Sequence, residues 1–193
     1  MSKPILAAVS AVIITLSMFG STAASAAESD ERSVCTVGGV PVPIGQPAPV
    51  DIPTVISCFT SMDEAEQFIE DGAPGDIEQL AAASAIARSA SAATASTVTI
   101  GKVWTGTSRT GAVLIHWGTG SGCYGVTYGF PSLASGWNNN IRSAEGYSNC
   151  WASHYDATSY GGDVLTCAAY CATLGFMAAR SSSIVYRPVG TFG

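Results

Sequence analysis

The feature that most constrains the fold is a motif that occurs twice. Residues 104–115, WTGTSRTGAVLI, align without gaps with residues 155–166, YDATSYGGDVLT. A second block follows each of them, GWNNNIRSAEGY at residues 136–147 and GFMAARSSSIVY at residues 175–186. A repeated supersecondary unit that cannot bury its apolar face alone has to pack against its neighbour. The sequence therefore predicts a pseudosymmetric domain built from two copies of one unit.

The first block predicts a folded hairpin. In the second copy an aromatic residue, Tyr155, is followed five positions later by Tyr160 and two positions after that by Gly162. The aromatic side chain would cover the turn, and glycine supplies a backbone angle that other residues avoid. In the first copy Arg109 stands where the second aromatic is expected. Each copy would hold about four short strands, and two copies packed face to face predict an antiparallel sandwich.

These blocks resemble the signature of the βγ-crystallin Greek-key family, an aromatic-x-x-x-x-aromatic-x-Gly hairpin followed by a serine near the end of each repeat. The resemblance covers roughly residues 100–187. It implies an all-β fold, a double Greek-key sandwich. Bacterial secreted members of the family include Streptomyces-type metalloproteinase inhibitors and killer-toxin-like proteins. The resemblance therefore implies a non-catalytic binding module, either a peptidase inhibitor or a toxin-like effector.

Many members of this family bind calcium through an [N/D]-[N/D]-x-x-[S/T]-S loop in each repeat. Asn139, Asn140 and Ser143 fit that loop, whereas Ala144 replaces its last residue. Amide and hydroxyl oxygens suit a hard cation, but the loop has no carboxylate. The resemblance thus implies one weak calcium site and no required cofactor. The alternative to a binding module is a weakly calcium-binding stability module without a dedicated macromolecular target. The aligned second loop, residues 178–183, begins with two alanines and is expected to be inactive. A turn stabilised by asparagine is the alternative.

The first repeat carries about twelve extra residues relative to the second, around the segment WGTGSGCYGVTYGF at residues 117–130. In the resembling metalloproteinase inhibitors an exposed loop occupies the protease cleft. This implies a protein-binding loop here, with Tyr124 and Tyr128 as its anchors and a secreted protease or another protein as its partner. A passive glycine-rich surface loop is the alternative.

The N-terminus predicts export. Lys3 precedes an apolar run over residues 5–20, and Ala24-Ser25-Ala26 fits the A-x-A cleavage pattern. Residues 1–26 are therefore predicted to be a secretory signal peptide, because the apolar run is shorter than the roughly 20 residues that span a bilayer. We expect a secreted, extracellular protein that is not anchored in a membrane.

All the cysteines lie after this segment, and an even number in an exported chain predicts disulfides. They are Cys35, Cys58, Cys123, Cys150, Cys167 and Cys171. Cys35–Cys58 is the economical pair before residue 100. The other four cysteines allow three connectivities, of which Cys123–Cys150 with Cys167–Cys171 is favoured. A zinc site is the alternative, but no C-x-x-C pair or nearby histidine supports it.

Residues 27–97 are predicted to form a separate, partly helical region that precedes the β domain at residues 98–193. Its first part, residues 27–60, is rich in proline and should be extended and irregular. Ser61 and Glu64 form a capping box for a helix to about Asp71, and a second helix is predicted from Ile77 to about Arg88. The Ala/Ser stretch at residues 84–97 reads as the end of that helix or a linker. The region is either a removable pro-segment or a permanent partner.

The charge is unevenly distributed. Residues 27–100 carry eleven acidic side chains against two basic ones, and residues 101–193 carry five basic against three acidic. The net charge of −6 argues against nucleic acid as a partner, and we expect a monomer.

Catalysis is not predicted. Neither His116 nor His154 lies in a metalloprotease motif, and the sequence has no G-x-S-x-G nucleophile elbow. A Ser–His–Asp grouping that uses His154 with Asp156 stays open at this level. We expect a protein that is not an enzyme.

Overall fold

The computed structural model describes residues 34–83 and 96–193. The predicted signal peptide and the Ala/Ser stretch up to residue 95 lie outside the described residues. The strands are β1 (Val34–Gly39), β2 (Pro41–Pro43), β3 (Ile56–Phe59), β4 (Thr97–Trp104), β5 (Val113–Thr119), β6 (Val126–Phe130), β7 (Ser143–Gly146), β8 (Cys150–Tyr155), β9 (Val164–Cys167), β10 (Tyr170–Cys171) and β11 (Ser183–Pro188). The helices are α1 (Met62–Glu70) and α2 (Asp76–Ala83), and 3₁₀ turns cover Thr158–Tyr160 and Gly175–Met177.

Two sheets form a sandwich, and the two repeats exchange one strand between them. The six-stranded sheet has the order β10-β7-β4-β5-β1-β3, and the five-stranded sheet has the order β2-β6-β11-β8-β9. The first repeat contributes β4 to β7 and the second β8 to β11. The third strand of each repeat leaves its own sheet, so that β6 pairs with β11 and β10 pairs with β7. The predicted double Greek-key sandwich is therefore confirmed.

The core between the sheets follows the two-residue period of the strands. In β11 the side chains of Ile184 and Tyr186 belong to this core, whereas Val185 and Arg187 face the other side of the sheet. In β6 the inward side chains include Tyr128, whose ring lies where a side chain on Gly118 would have to be. The glycine in β5 thus allows a tyrosine of the opposite sheet to be buried completely.

The proline-rich region is ordered differently from the prediction. Strand β1 lies inside the six-stranded sheet, parallel to β5 and antiparallel to β3. Strand β2 contains Pro41 and Pro43 and pairs only with β6, at the edge of the other sheet. An edge strand tolerates proline because one side of it needs no ladder donor. The expectation of an irregular segment before residue 60 is therefore wrong, and the boundary placed near residue 98 does not divide the sheets.

Helix α1 begins where the capping box predicted. Ser61 Oγ accepts a hydrogen bond from the backbone N–H of Glu64 (3.2 Å), and the Glu64 carboxylate accepts from the backbone N–H of Thr60 (3.1 Å). The hydrogen bonds from Thr60 lower the pKa of Glu64. Helix α2 begins at Asp76, and its described part ends at Ala83, so the rest of the predicted second helix lies outside the described residues.

The two helices cover the outer face of the six-stranded sheet as a third layer. A second apolar cluster joins Ile69 and Leu80 of the helices to Trp104 and Trp117 of the sheet. An ion pair between Glu66 and Lys102 of β4 lies at its margin, at 2.5 Å. Within the described ranges, no helix is both long enough and apolar enough to cross a membrane.

The cysteines pair as the sequence favoured. Cys35 is bonded to Cys58, Cys123 to Cys150 and Cys167 to Cys171. The first bond links β1 to β3, and the last closes the short connection between β9 and β10. The Cys123–Cys150 bond links the turn between β5 and β6 to the start of the second repeat.

Candidate functional site

The residues predicted to bind calcium lie in the loop before β7, and their oxygens already have partners. Asn139 has a φ of 56°, and its Oδ1 accepts a hydrogen bond from Ser182 Oγ (3.3 Å). Ser143 Oγ donates to the carbonyl oxygen of Gly106 (2.7 Å) and accepts from the backbone N–H of Arg109 (3.2 Å). Ser143 thus fastens the hairpin, and Asn139 occupies a left-handed turn position that asparagine tolerates well.

Arg142 places a positive charge inside the same loop. One terminal nitrogen of its guanidinium donates to Asn140 Oδ1 (3.0 Å), to the Asn140 carbonyl (3.3 Å) and to the Thr105 carbonyl (2.8 Å). Calcium prefers oxygens of this kind, and a guanidinium beside them repels a second cation. The residues present therefore do not offer calcium a free set of ligands. In the part of the chain that the structure describes, no three His, Cys, Asp or Glu side chains are grouped to hold a metal ion.

The second repeat is offset by one residue from the sequence alignment. Ser183 Oγ donates to the carbonyl of Ala157 (2.7 Å) and accepts from the backbone N–H of Tyr160 (3.1 Å), the same two bonds that Ser143 makes in the first repeat. Ser183 is thus the structural equivalent of Ser143. The alignment of residues 136–147 with residues 175–186 predicted Ser182 at that position, and this prediction is wrong. The hydrogen bonds of the two serines define this register of the repeats. The sequence alignment was based on matching aromatic residues and glycines, which do not determine it.

The corrected register changes the view of the second loop. Ala179, with a φ of 58°, takes the position of Asn139, and Arg180 takes the position of Asn140. The guanidinium of Arg180 pairs with the carboxylates of Asp156 and Asp163, the latter at 3.3 Å. Both loops thus contain a guanidinium of the protein itself bound to oxygens of the adjoining hairpin.

The two tyrosines of the predicted binding loop have opposite environments. Tyr124 lies in the turn between β5 and β6 with 65% of its surface exposed. Tyr128 is fully buried, and its hydroxyl donates to the carbonyl oxygen of Thr119 (2.7 Å). Burial raises the pKa of Tyr128 to about 12. The prediction of Tyr128 as a surface anchor is therefore wrong. The alternation of apolar residues at 126, 128 and 130 is the signal that places it inside.

The turn that carries Tyr124 is fastened at several points. Cys123 is covalently bonded to Cys150, its backbone N–H donates to the Ser148 carbonyl (2.9 Å), and its carbonyl accepts from Asn149 Nδ2 (3.1 Å). On the far side of the turn, the carbonyl of Gly125 accepts from the backbone N–H of Ile44 (3.1 Å). The exposed tyrosine is therefore carried on a rigid support.

Two further exposed apolar residues, which were not among those predicted to bind a partner, flank this turn. Ile44 is 55% exposed and Val189 is 51% exposed. The Val189 backbone N–H donates to the carbonyl of Asn149 (3.1 Å), next to the Cys123–Cys150 bond. We call Ile44, Tyr124 and Val189 the Tyr124 surface. The segments that contribute to it, residues 37–50, 117–130 and 188–193, contain no charged residue.

Ile44 and Val189 share a sequence signal. Each stands between a proline and a glycine, as Pro-Ile-Gly at residues 43–45 and Pro-Val-Gly at residues 188–190. Gly45 and Gly190 have φ values of 88° and 86°, and both turns close with a hydrogen bond to the proline carbonyl. A β-turn of this type holds its second residue outward and favours glycine at its third. A Pro-apolar-Gly pattern could therefore have identified both positions.

The two histidines lie in the core. His116 of β5 and His154 of β8 are fully buried, and burial lowers the pKa of each to about 3. His154 Nδ1 lies 3.1 Å from the hydroxyl of buried Ser181, whereas the Asp156 side chain pairs with Arg180. The structure thus does not bring Asp156 to His154, and neither histidine lies on a surface that a substrate can reach.

Comparison with known proteins found similar chains among solved structures. No protein-family model and no curated protein matches the sequence. Among solved structures, the chain is similar to the N-terminal domain of protein S, with 18% identity and a TM-score of 0.38, covering 48% of this chain and 100% of that one. It is also similar to a βγ-crystallin domain from Flavobacterium johnsoniae, with 22% identity and a TM-score of 0.37, covering 48% of this chain and 99% of that one.

Proposed function

We propose that this protein is a secreted, non-catalytic binding module that engages another protein through the Tyr124 surface. The observation that carries the proposal is an exposed tyrosine on a turn fastened by a disulfide and by backbone hydrogen bonds on both sides. A rigid loop loses little conformational freedom on binding, so more of the contact energy appears as affinity. The lack of charge in the surrounding segments resembles the centre of a protein interface, where charged residues are depleted.

The partner class we propose is a secreted peptidase, which this module would inhibit. A projecting aromatic side chain on a rigid support suits the concave cleft of such an enzyme, because tyrosine is enriched among the residues that dominate binding energy. A toxin-like effector would use the same surface on a different target. The burial of both histidines supports a role without catalysis.

The experiment is a titration of secreted metalloproteases and serine proteases with the purified protein. We expect one of them to lose activity at a defined molar ratio. The variant Tyr124→Ala should bind that enzyme about thirtyfold or more weakly, which is the typical effect of removing a dominant interface residue. Its thermal midpoint should not change, because the side chain is exposed.

Phe176→Ala provides the matched control. Phe176 is an aromatic residue with 55% exposure in the 3₁₀ turn of the second repeat, so its removal costs similar apolar area far along the chain from the Tyr124 surface. It should leave inhibition unchanged. If every protease keeps full activity in an excess of the protein, the inhibitor proposal fails.

Calcium binding, which the sequence predicts and the occupied loop oxygens argue against, has an independent test. A ligand that prefers the native state raises the thermal midpoint. Because Arg142 already uses the oxygens of Asn140, we expect millimolar calcium to leave the midpoint of the protein unchanged. A rise in the midpoint that Asn140→Ala abolishes would instead support the calcium-stabilised module.

Secretion can be tested with the mass of the exported protein. A mass that corresponds to a chain beginning near Ala27 supports cleavage after the signal peptide and retention of the N-terminal region. A mass that begins near residue 98 would show that this region is a removable pro-segment. We expect retention, because β1 lies between two other strands of the six-stranded sheet.

A further inference from the structure

A groove on the outer face of the five-stranded sheet lies under the segment that follows β2. This segment, residues 44–49, which we call the arm, is held to the sheet where the Tyr160 hydroxyl donates to the Pro49 carbonyl (2.6 Å). Val185 and Arg187 of β11 face this side of the sheet, because Ile184 and Tyr186 belong to the core. Between the arm and the sheet lies a cavity of about 300 Å³.

Arg187 is the charged group of this cavity, and its hydrogen bonding is incomplete. One terminal nitrogen donates to the carbonyl of Phe192 (2.9 Å), and the other donates to the hydroxyl of Tyr155 (2.9 Å). The Nε of Arg187 is buried and has no acceptor among residues 34–83 and 96–193. A buried donor that lacks an acceptor loses its bond to water without replacement. Such a group is rare in a native structure and calls for an explanation.

Within the described part of the chain, no carboxylate pairs with the charge of Arg187. Both of its acceptors are neutral oxygens, and no Asp or Glu is among the residues that line the cavity. Arg109 and Arg180, in contrast, each pair with a carboxylate. A partly buried charge without a partner is unfavourable. The planar guanidinium fork has the geometry that binds a carboxylate through two hydrogen bonds.

The rest of the cavity suits the body of a small molecule. The rings of Tyr155 and Tyr160 form one wall, with their centroids 6.0 Å apart and their planes at 67°. Val185 contributes apolar surface, and Gln46 and Thr127 contribute polar groups. Small-molecule sites are concave, largely apolar and contain few polar groups, with volumes of about 300–1,000 Å³.

We propose that this groove binds a small organic acid, with the carboxylate on Arg187 and the body of the molecule against the two tyrosines. The carboxylate would accept hydrogen bonds from the second N–H of each terminal nitrogen of the guanidinium and would neutralise its charge. The site lies beneath the arm and shares Ile44 with the Tyr124 surface, whereas Tyr124 and Val189 do not line it. Because the proposal rests on Arg187 and the two tyrosines of the groove, it does not depend on the protein-binding role of the Tyr124 surface.

Matched pairs of acids and neutral analogues test the proposal on the full exported protein. Amide resonances would be followed by NMR while glucuronate or phenylacetate is added, and glucose and phenylacetamide serve as the neutral analogues. We expect the acids, and not the neutral compounds, to shift resonances of the residues that line the groove. A response to glucuronate alone points to a sugar acid, and a response to phenylacetate alone points to an aromatic acid. Equal shifts with acid and neutral analogue, or no shift at all, would overturn the proposal.

Substitutions of Arg187 test which group holds the acid. Arg187→Gln should weaken binding by at least about tenfold, the usual worth of a hydrogen bond to a charged group. Arg187→Lys keeps the charge without the fork and should have an intermediate effect. Arg109→Gln, which removes an exposed guanidinium in the first repeat, is the control and should bind normally. If Arg187→Gln binds the acid as the parent protein does, Arg187 is not the ligand. If Arg187→Gln does not fold, Arg187→Lys and the acid–neutral pairs decide.

Discussion

In both repeats a buried serine makes the same two hydrogen bonds to the hairpin, but the side chain that covers the hairpin turn differs. It is Arg109 in the first repeat and Tyr160 in the second. In the first repeat the Arg109 guanidinium lies 3.8 Å from the centre of the Tyr170 ring and makes two hydrogen bonds to the Glu145 carboxylate, at 2.8 and 2.6 Å. In the second repeat Tyr160 packs against Tyr155 and donates its hydroxyl to the arm. The first cover connects the two repeats, and the second connects a repeat to the N-terminal region.

This difference shows which part of the signature the backbone requires. Arg109 and Tyr160 have φ values of 64° and 61°, and the following Gly111 and Gly162 have values of 80° and 79°. The hairpins therefore have the same conformation although an arginine replaces the aromatic. A planar guanidinium can stack on a ring as an aromatic side chain does. The serine and the glycine maintain the hairpin, and the cover decides which neighbour the hairpin contacts.

Acid should produce the largest effect, and it tests a feature that both repeats share. Each repeat buries one histidine, His116 or His154, with a pKa of about 3. In the unfolded chain each histidine has its ordinary pKa of about 6.5. Below that pH the unfolded state therefore binds more protons than the folded state does. The free energy of unfolding should then fall as the pH is lowered from 6.5 towards 3, by roughly 1.4 kcal/mol per pH unit for each histidine. Urea unfolding at a series of pH values measures this slope.

The variant His154→Gln isolates the contribution of one repeat. Carboxylates stay ionised above about pH 5, so the slope between pH 6 and 5 belongs mainly to the histidines. The variant should show about half the slope of the parent protein in this window. A slope that does not change would mean that His154 is protonated in the folded protein or is accessible to water.

The serines that close the hairpins should come next, and they should behave alike. Ser143→Ala and Ser183→Ala each remove a buried hydroxyl that joins a carbonyl to a backbone N–H. Each substitution leaves both of those groups without a partner, so we expect a loss of about 1–3 kcal/mol in the free energy of unfolding. Denaturant unfolding of the two variants measures it.

Ser182→Ala is the control for the corrected register. The Ser182 hydroxyl makes one side-chain contact, at 3.3 Å to Asn139, so its loss should cost clearly less than the loss of Ser183. The opposite order would restore Ser182 as the equivalent of Ser143 and would argue against the register that the hydrogen bonds define.

Loss of the Tyr160 hydroxyl should lower the stability of the protein and loosen the arm. Tyr160→Phe keeps the ring and removes the bond to Pro49, so it should lower the free energy of unfolding by about 1 kcal/mol and speed amide exchange in the arm. Hydrogen exchange of residues 44–50 measures the second effect. Tyr147→Phe removes a hydroxyl bonded to Glu145 in the first repeat and should leave exchange in the arm unchanged. Equal exchange in both variants would mean that Pro49 is held by other contacts.

Local patterns in the sequence predicted the parts of the fold that local interactions determine. The capping box at Ser61, the hairpin glycine at 162 and the favoured disulfides depend on residues close in the chain or on a count of cysteines. The position of β1 beside β5 could not be predicted in this way, because a parallel pairing between distant segments depends on packing of both faces. The same holds for the groove at Arg187, since the arm, β11 and Tyr160 meet only in the folded chain.

The predictions for the candidate site fell short for a related reason. The family's calcium loop predicted that the asparagine side-chain oxygens bind a cation. In the folded chain these oxygens accept hydrogen bonds from Arg142 and Ser182, and a sequence motif does not reveal such contacts. Tyr124 and Tyr128 looked equivalent in a glycine-rich segment, and the start of β6 at Val126 separates them. The two-residue period of that strand was available in the sequence and outweighs the resemblance to a binding loop.

Removal of the Arg109 guanidinium, which covers the first hairpin, should have the smallest effect on stability. That effect should depend on salt, whereas the effect of removing the Tyr160 hydroxyl should not. The Arg109 side chain is 46% exposed, and exposed ion pairs contribute little to stability and are screened by salt. Arg109→Gln should lower the thermal midpoint by about 2 °C or less at low ionic strength, and the difference should vanish in molar salt. Tyr160→Phe should keep its full effect in the same salt, because a hydrogen bond between neutral groups is not screened. If both variants lose their effects in salt, the chemical distinction between the two covers is wrong, and the repeats differ only in which neighbour they contact.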